Sequence, residues 1–314
     1  MKGIFRTLVC CLLLISGWTA QAQKFIFTPQ WTAQAQFAGY YVAYEQGFYR
    51  DAGLDVEIVH PSLSQSAMSR MAEKESHATT LQLCQALEII DSGMPLVNIL
   101  QTSMNNALVI ASRRDEDPLL QKGILVGTWS AGFDQIAICM SLREGLNYQW
   151  IPFSTGINLF LAGAIDATLA MSYNELNQLV ESGYTISDKN VYRFCEHDYN
   201  VQEDGVYMSR DYYESHKDQA HKFAEASRRG WEWAVEHPEE TLDIIMDYAN
   251  KNHIATNRVH QRLMLKEILR LLEDRESGKR EYRLRPDMVK LANTLMLENQ
   301  MILREIPYEE LIAQ

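Results

Sequence analysis

Gln30-Trp31-Thr32-Ala33-Gln34-Ala35-Gln36-Phe37-Ala38-Gly39-Tyr40-Tyr41-Val42-Ala43, continuing through Glu45-Gln46-Gly47-Phe48-Tyr49 to Gly53-Leu54-Asp55-Val56, reads as an aromatic loop, a helix, a turn and a strand. Lys24 to Thr28, just before it, is a short apolar strand candidate. From Phe37 onward Tyr40, Tyr41, Tyr44 and Phe48 recur at helical spacing. Gly53 supplies the helix stop, and Leu54, Val56 and Ile58 then alternate with Asp55 and Glu57. This arrangement sets Trp31, Gln34 and Gln36 where a first strand feeds a helix. Open α/β sheets bind small ligands there, at the carboxyl ends of strands.

The pattern repeats downstream. Gln65 to Glu75 reads as an amphipathic helix, Thr79 to Leu83 as a short strand and loop, and the run to Ser92 as a helix with Gly93 as its stop. Pro95 to Gln101 and Ala107 to Ser112 are apolar strands. The charged run Arg113-Arg114-Asp115-Glu116-Asp117-Pro118 marks a break. A second α/β pattern follows: strand Ile124 to Gly127, helix Phe133 to Glu144, strand Tyr148 to Phe153, helix Asn158 to Gly163, strand Ala167 to Met171 and helix Asn174 to Ser182. Val206-Tyr207-Met208 is another strand, and the rest is helical, including Arg258 to Glu273 and Arg285 to Asn299. Strands alternating with helices predict an α/β fold on mainly parallel sheets. The expected organisation is one lobe from 23–112 plus 206–314 and a second from 113–205, with a cleft between them.

The first residues read as a secretory signal. Lys2 and Arg6 form a positive start, Leu8 to Ile15 is apolar, and Ala20-Gln21-Ala22 is a cleavage signal that leaves Gln23 first. Cleavage at Ala22 leaves 292 of 314 residues and takes the formal charge from −12 to −14, since Lys2 and Arg6 are lost. That acidic balance argues against nucleic acid as a partner. The expectation is an exported, periplasmic protein. Of the cysteines, Cys84, Cys139 and Cys195 remain; their odd number and spacing fit neither full pairing nor a zinc site, and Cys84 and Cys139 read as small buried hydrophobes.

No nucleophile elbow, zinc-binding helix, phosphate loop or dinucleotide fingerprint is present. Three strand-to-helix junctions are the candidate sites. Trp31, Gln34, Gln36 and Phe37 offer apolar faces and amide donor–acceptor pairs for a flat nitrogen-containing ligand, or else Trp31 and Phe37 plug the sheet end. In Gly127-Thr128-Trp129-Ser130-Ala131-Gly132-Phe133, Ser130 and the free N–H groups suit a polar or anionic group, or simply cap a helix. In Ser172-Tyr173-Asn174-Glu175, Asn174 and Glu175 suit an amine or amidine, or cap the next helix. Tyr40, Leu81 and Gln82 complete the expected ligand-binding set, with Trp129, Ser130, Gly132, Phe133, Tyr173, Asn174 and Glu175 from the later junctions. Trp31 and Trp129 would stack on the ligand from opposite lobes, Gln36, Gln82, Asn174 and Glu175 would hydrogen-bond it, and the Ser130–Gly132 loop would hold its polar end.

The chain resembles solute-binding proteins of the thiamine-pyrimidine-precursor and alkanesulfonate type. The strongest motif is Trp31 to Val56 with its core at Gln36 to Ala43; Gly163-Ala164-Ile165-Asp166-Ala167, Tyr173-Asn174-Glu175, Glu203-Asp204-Gly205 and Arg229-Gly230-Trp231-Glu232-Trp233-Ala234 also match. The resemblance implies a type II periplasmic-binding fold, with two α/β lobes joined by crossover strands near Ala107 to Ser112 and Val201 to Met208. It implies hinge closure on a small ligand, no cofactor, no metal and a monomeric binder delivering to an ABC permease in the inner membrane. A thiamine pyrimidine synthase of the same family is the enzymatic alternative. Phe37 stands where that enzyme has its histidine, no Lys or His occurs from Phe25 to Val59, and only Cys195 lies near the enzyme's cysteine cluster. A ligand sensor docking on a membrane receptor is the third reading.

Overall fold

The computed structural model describes residues 23–62, 64–130, 132–154 and 156–313. The expected signal peptide, with Cys10 and Cys11, lies outside them, as does Ala131 of the second candidate loop. Among the described residues no helix is long and apolar enough to cross a membrane.

Among the described residues ten strands form two five-stranded sheets. The first holds β1 (Gln23–Thr28), β2 (Leu54–Ile58), β3 (Ala78–Gln82), β4 (Leu96–Gln101) and a strand from much later in the chain, β10 (Asp204–Ser209), in the order β2-β1-β3-β10-β4. The second holds β5 (Leu108–Ser112), β6 (Leu125–Trp129), β7 (Gln149–Phe153), β8 (Ala167–Met171) and β9 (Val191–Arg193), in the order β7-β6-β8-β5-β9. β1 runs parallel to β2 and β3, and β6 runs parallel to β7 and β8. β10 is antiparallel to both neighbours in the first sheet, and β5 is antiparallel to both in the second. Each sheet therefore carries one reversed strand, the one through which the chain arrives from the other sheet.

This pairing corrects one boundary. The expected first lobe ran to Ser112, yet Leu108–Ser112 pairs with β8 and β9 of the second sheet. The changeover falls between β4 and β5, in Thr102–Ala107, a buried polar stretch rather than the exposed charged run at Arg113. Likewise the return strand starts at Asp204, two residues before the predicted Val206.

The C-terminal helices tie the sheets together. Lys217–Glu236 packs on Ala38–Glu45 and on the first sheet. Arg258–Leu271 touches both the turn at Ala35–Phe37 and the second-sheet helix Glu175–Glu181. Pro286–Glu298 lies against Leu83–Asp91 and Gln135–Arg143, one helix from each lobe. Cys84 and Cys139 are buried, as expected of small hydrophobes.

Two glycines set the closest helix crossing. A Cβ on Gly230 would lie 2.0 Å from the Gly39 carbonyl oxygen, and one on Gly39 would lie 2.2 Å from the Trp231 ring. Backbone approach at this distance carries Tyr40 into a ring cluster with Phe27, at 4.7 Å, and with Trp231, at 5.6 Å. Gly230→Ala is expected to cost about 3 kcal/mol, because backbone rather than a flexible side chain must move. Urea unfolding measures it; an unchanged midpoint would mean that the helices part without cost.

Candidate functional site

A cavity of about 350 Å³, its mouth included, opens between the two sheets. Gln30, Trp31, Gln34, Gln36 and Gln82 line it from the first lobe; Trp129, Phe133, Met171, Tyr173, Asn174 and Glu175 line it from the second. Every contributing segment sits at a strand end, as the junction argument requires.

The first-lobe wall is a chain of amides ending on a carboxylate. Gln34 Nε2 donates to Gln36 Oε1 at 2.7 Å, and Gln36 Nε2 donates to Asp204 Oδ2 at 2.6 Å. Gln30 Nε2 donates to the other oxygen, Asp204 Oδ1, at 2.8 Å. Since both amides must point N–H at the carboxylate, Gln30 turns its own carbonyl oxygen away; that atom is buried and lacks a hydrogen-bond partner among the described residues. Trp31 is held through its backbone. His60 Nδ1 donates to the Trp31 carbonyl at 2.7 Å, so His60 Nε2 is left to accept from the Tyr41 hydroxyl at 2.8 Å. Burial pushes the His60 pKa down to about 4, which keeps the ring neutral and this pairing fixed at neutral pH.

The second-lobe wall is organised by Glu175. Its Oε2 accepts the Met171 N–H at 3.0 Å and its Oε1 accepts Asn174 Nδ2 at 2.9 Å. Burial raises the Glu175 pKa, and these donors together with Trp129 draw it back. Tyr173 reaches across to Gln36; burial and the carboxylates of Asp204, Glu203 and Glu175 hold its phenol well above the ordinary range. Phe133 stands edge-on to both indoles, 5.7 Å from Trp31 and 6.2 Å from Trp129. The rim is stitched across the lobes by Gln85 Nε2 to the Gly132 carbonyl, 2.7 Å, and Gln135 Nε2 to Glu88 Oε2, 2.8 Å.

Five expected ligand contacts are not among the lining residues. Phe37 and Tyr40 are core: Phe37 packs against His60 and Tyr40 against Phe27 and Trp231. Leu81 is buried in β3 beside Gln82, and alternation along a strand turns the two to opposite faces. Ser130 is exposed, with its N–H and hydroxyl both given to the Phe153 carbonyl, so it neither caps a helix nor presents free donors. Gly132 serves the rim through its carbonyl. Asn174 does not cap its helix either; its side chain is turned to Glu175. The lining residues missed were Gln30 and Met171, together with Asp204, which holds Gln30 and Gln36 from outside the lining. Gln30 opened the decisive stretch, and Asp204 belonged to a quoted motif, but nothing local in the sequence sets either at a cavity.

Comparisons with known proteins agree with this architecture. The NMT1/THI5-like family model matches residues 34–241. A formylaminopyrimidine-binding protein from Halalkalibacterium halodurans is 27% identical over 232 residues, covering 69% of this chain and 68% of its own. The periplasmic aliphatic sulphonate-binding protein SsuA from Escherichia coli superposes with a TM-score of 0.66 at 13% identity, over 93% of this chain and 92% of its own. The desulfurization enzyme DSZB has the same fold, with a TM-score of 0.59 at 11% identity over 93% and 96%. The chain belongs to the NMT1/THI5-like family, and its fold is that of periplasmic binding proteins.

Beside Asp204, Glu203 is buried and has no ion-pair partner among the described residues; burial pushes its carboxyl well up, the Asp204 charge adds to this, and the Ala107 and Leu108 N–H groups oppose it. A carboxyl with a raised folded-state pKa holds its proton more tightly in the fold than in the unfolded chain. Its stabilising contribution is present in acid and is lost as pH rises through the folded value. Glu203→Gln is therefore expected to raise Tm at neutral pH and to leave it unchanged near about pH 4. Thermal unfolding at the two pH values checks this; an equal shift at both would remove the ionisation account.

Proposed function

We propose that this member of the NMT1/THI5-like family is the periplasmic solute-binding protein of an ABC importer, and that it captures a single-ring nitrogen heterocycle, with a formylaminopyrimidine as the first candidate. The observation that carries this reading is the polarity of the wall. Among the described residues Gln30 offers a buried, unpartnered carbonyl oxygen and Glu175 a carboxyl at the same cavity, while Asp204 holds the Gln30 and Gln36 amides that line it. Among the described lining residues there is no arginine or lysine. The Gln30 carbonyl and the Glu175 carboxyl suit ligand N–H groups, as on an exocyclic amine or amidine; a lining with carboxyls and no cation suits a sulfonate poorly, because a buried anion is stabilised by cations or convergent donors. A carboxyl with a raised pKa also suits a ring nitrogen, with which it can share a proton.

Size and shape support the same class. The enclosed space is narrow, about 30 Å³ for the centres of water-sized spheres, so the cleft as it stands favours a small, flat ligand. Trp31 and Trp129 supply aromatic faces from opposite lobes, and each ring contact is worth about 0.5–1.5 kcal/mol beyond area burial. The lining also lacks lysine, histidine and cysteine among the described residues, so the chemistry on offer is capture rather than attack on a substrate. Export to the periplasm and delivery to an inner-membrane permease complete the reading.

Isothermal titration of the mature protein with formylaminopyrimidine and with small alkanesulfonates tests it. Binding of the pyrimidine and silence of the sulfonates is expected. Trp31→Ala should weaken binding by about 2 kcal/mol, roughly 30-fold, and Glu175→Gln by a similar amount. Sulfonate binding without pyrimidine binding would overturn the ligand class.

A further inference from the structure

Two amides meet one carboxylate behind the first-lobe wall. Gln30 Nε2 lies 2.8 Å from Asp204 Oδ1, and Gln36 Nε2 lies 2.6 Å from Asp204 Oδ2. Among the described residues these amides are the only hydrogen-bond partners of that carboxylate. An ionised carboxylate accepts and cannot donate, so each glutamine must turn its amide nitrogen, not its oxygen, towards it. Asp204 thereby sets which way round both amides stand.

The two amides are not equally fixed. Gln36 Oε1 accepts Gln34 Nε2 at 2.7 Å, and the Tyr173 hydroxyl reaches Gln36 from the second lobe. Turning Gln36 over would set its nitrogen against that of Gln34, so Gln34 would have to turn as well. Gln30 is tied differently. Its backbone N–H goes to Thr80 Oγ1 at 2.9 Å, which holds the main chain in place. Its side-chain oxygen is buried and has no hydrogen-bond partner among the described residues. Turning Gln30 over therefore breaks nothing but its bond to Asp204. Gln30 is the member of the pair that is free to reverse, and it lines the cavity. A buried amide oxygen without a partner is costly, and a ligand N–H is the partner it lacks.

We propose that Asp204 is a positioning residue that sets ligand specificity from outside the lining: it holds Gln30 with its carbonyl oxygen free for a ligand N–H, and so selects an exocyclic amine over a carbonyl at the same place. The inference deepens the nitrogen-heterocycle reading and rests on it for its ligand arm. Asp204→Asn keeps the shape of the side chain but exchanges one oxygen for an N–H₂ group. The new amide accepts from one glutamine and must donate to the other. Gln34 and Tyr173 keep Gln36 in its direction, so Gln30 is the one that turns over. It gives its oxygen to the new amide and presents N–H₂ where its oxygen stood. The preference for a ligand donor becomes a preference for a ligand acceptor.

The test combines one readout that needs a ligand with one that does not. The unaltered protein, Asp204→Asn, Gln30→Met and the double variant are titrated with an aminopyrimidine and with the pyrimidinone of the same skeleton, which carries a carbonyl oxygen in place of the exocyclic amine. The unaltered protein is expected to prefer the amine about 100-fold, and Asp204→Asn to lose at least about 30-fold of that preference while binding the pyrimidinone more tightly than before. Removing the charge, or disturbing the fold, would change the ratio in either background, whereas reversal of Gln30 cannot occur once Gln30 is gone. In Gln30→Met, adding Asp204→Asn is therefore expected to leave the ratio unchanged. A ratio that Asp204→Asn does not move, or moves equally with and without Gln30, overturns the proposal. Neutron diffraction of the deuterium-exchanged, ligand-free protein reads the amides directly. The Gln30 nitrogen is expected on Asp204 in the unaltered protein, and a reversed Gln30 in Asp204→Asn. A Gln30 oxygen already on Asp204, or a Gln30 that keeps its direction in the variant, overturns the proposal as well. Gln30→Met alone is expected to abolish the preference, so it and the unaltered neutron map still decide the matter if Asp204→Asn does not fold. If neither probe binds any form, the ligand reading falls alone, because the neutron maps still decide whether Asp204 orients Gln30.

Discussion

The carboxylate of Asp204 is the point on which both the fold and the cavity depend. Its side chain is buried and has no cationic partner among the described residues; Gln30 and Gln36 supply the donors instead. Its backbone carbonyl accepts from the N–H groups of Thr102 and Ser103, the Thr102 hydroxyl and Gln101 Nε2. One residue thus joins the outgoing crossover, the returning crossover and the loop that carries Trp31. A buried carboxylate satisfied only by amides is costly to disturb, because each lost donor leaves charge uncompensated. Burial raises its pKa and the two glutamines lower it, so the amide chain and the charge state stabilise each other.

That arrangement limits how the two lobes move. The sheets are linked by two crossovers and by helices of the tail that touch both sides. Contacts between the lobes at the cavity include the polar pairs Gln85 with Gly132 and Gln135 with Glu88 and the ring contact of Trp31 with Phe133. Such bonds exchange readily with water at modest net free energy. Hydrogen bonds are therefore denser at the crossovers around Asp204 than at the rim.

Much of this was legible in the sequence, and the failures have identifiable causes. Periodicity located the strands and helices that bury a clear apolar stripe, and the three strand-to-helix junctions converge on one cavity. β6 was read as ending at Gly127, yet it runs to Trp129. Gly127 is a strand residue whose missing Cβ makes room for Ile165 and Phe153, at 2.6 and 3.0 Å, and not a turn. Val191–Arg193 was missed because three residues at a sheet edge carry too short an alternation. Tyr40 was placed in the site because an aromatic at helical spacing looks the same whether its face meets a ligand or Phe27. Gln30 and Asp204 could not be found locally at all. Their roles come from a pairing between residues that lie far apart along the chain.

The fold itself does not choose the ligand. A sulphonate binder, a pyrimidine binder and a desulfurization enzyme are all similar to this chain, so the scaffold is compatible with anionic, neutral and reactive partners. What differs is which atoms the strand ends expose after the internal hydrogen bonds are satisfied. Here one N–H of Gln30 and one of Gln36 go to Asp204, and one N–H of Asn174 goes to Glu175. These internal pairs fix the rotamers of the lining amides, and so which of their remaining donors and acceptors face the cavity, a choice the scaffold alone does not make.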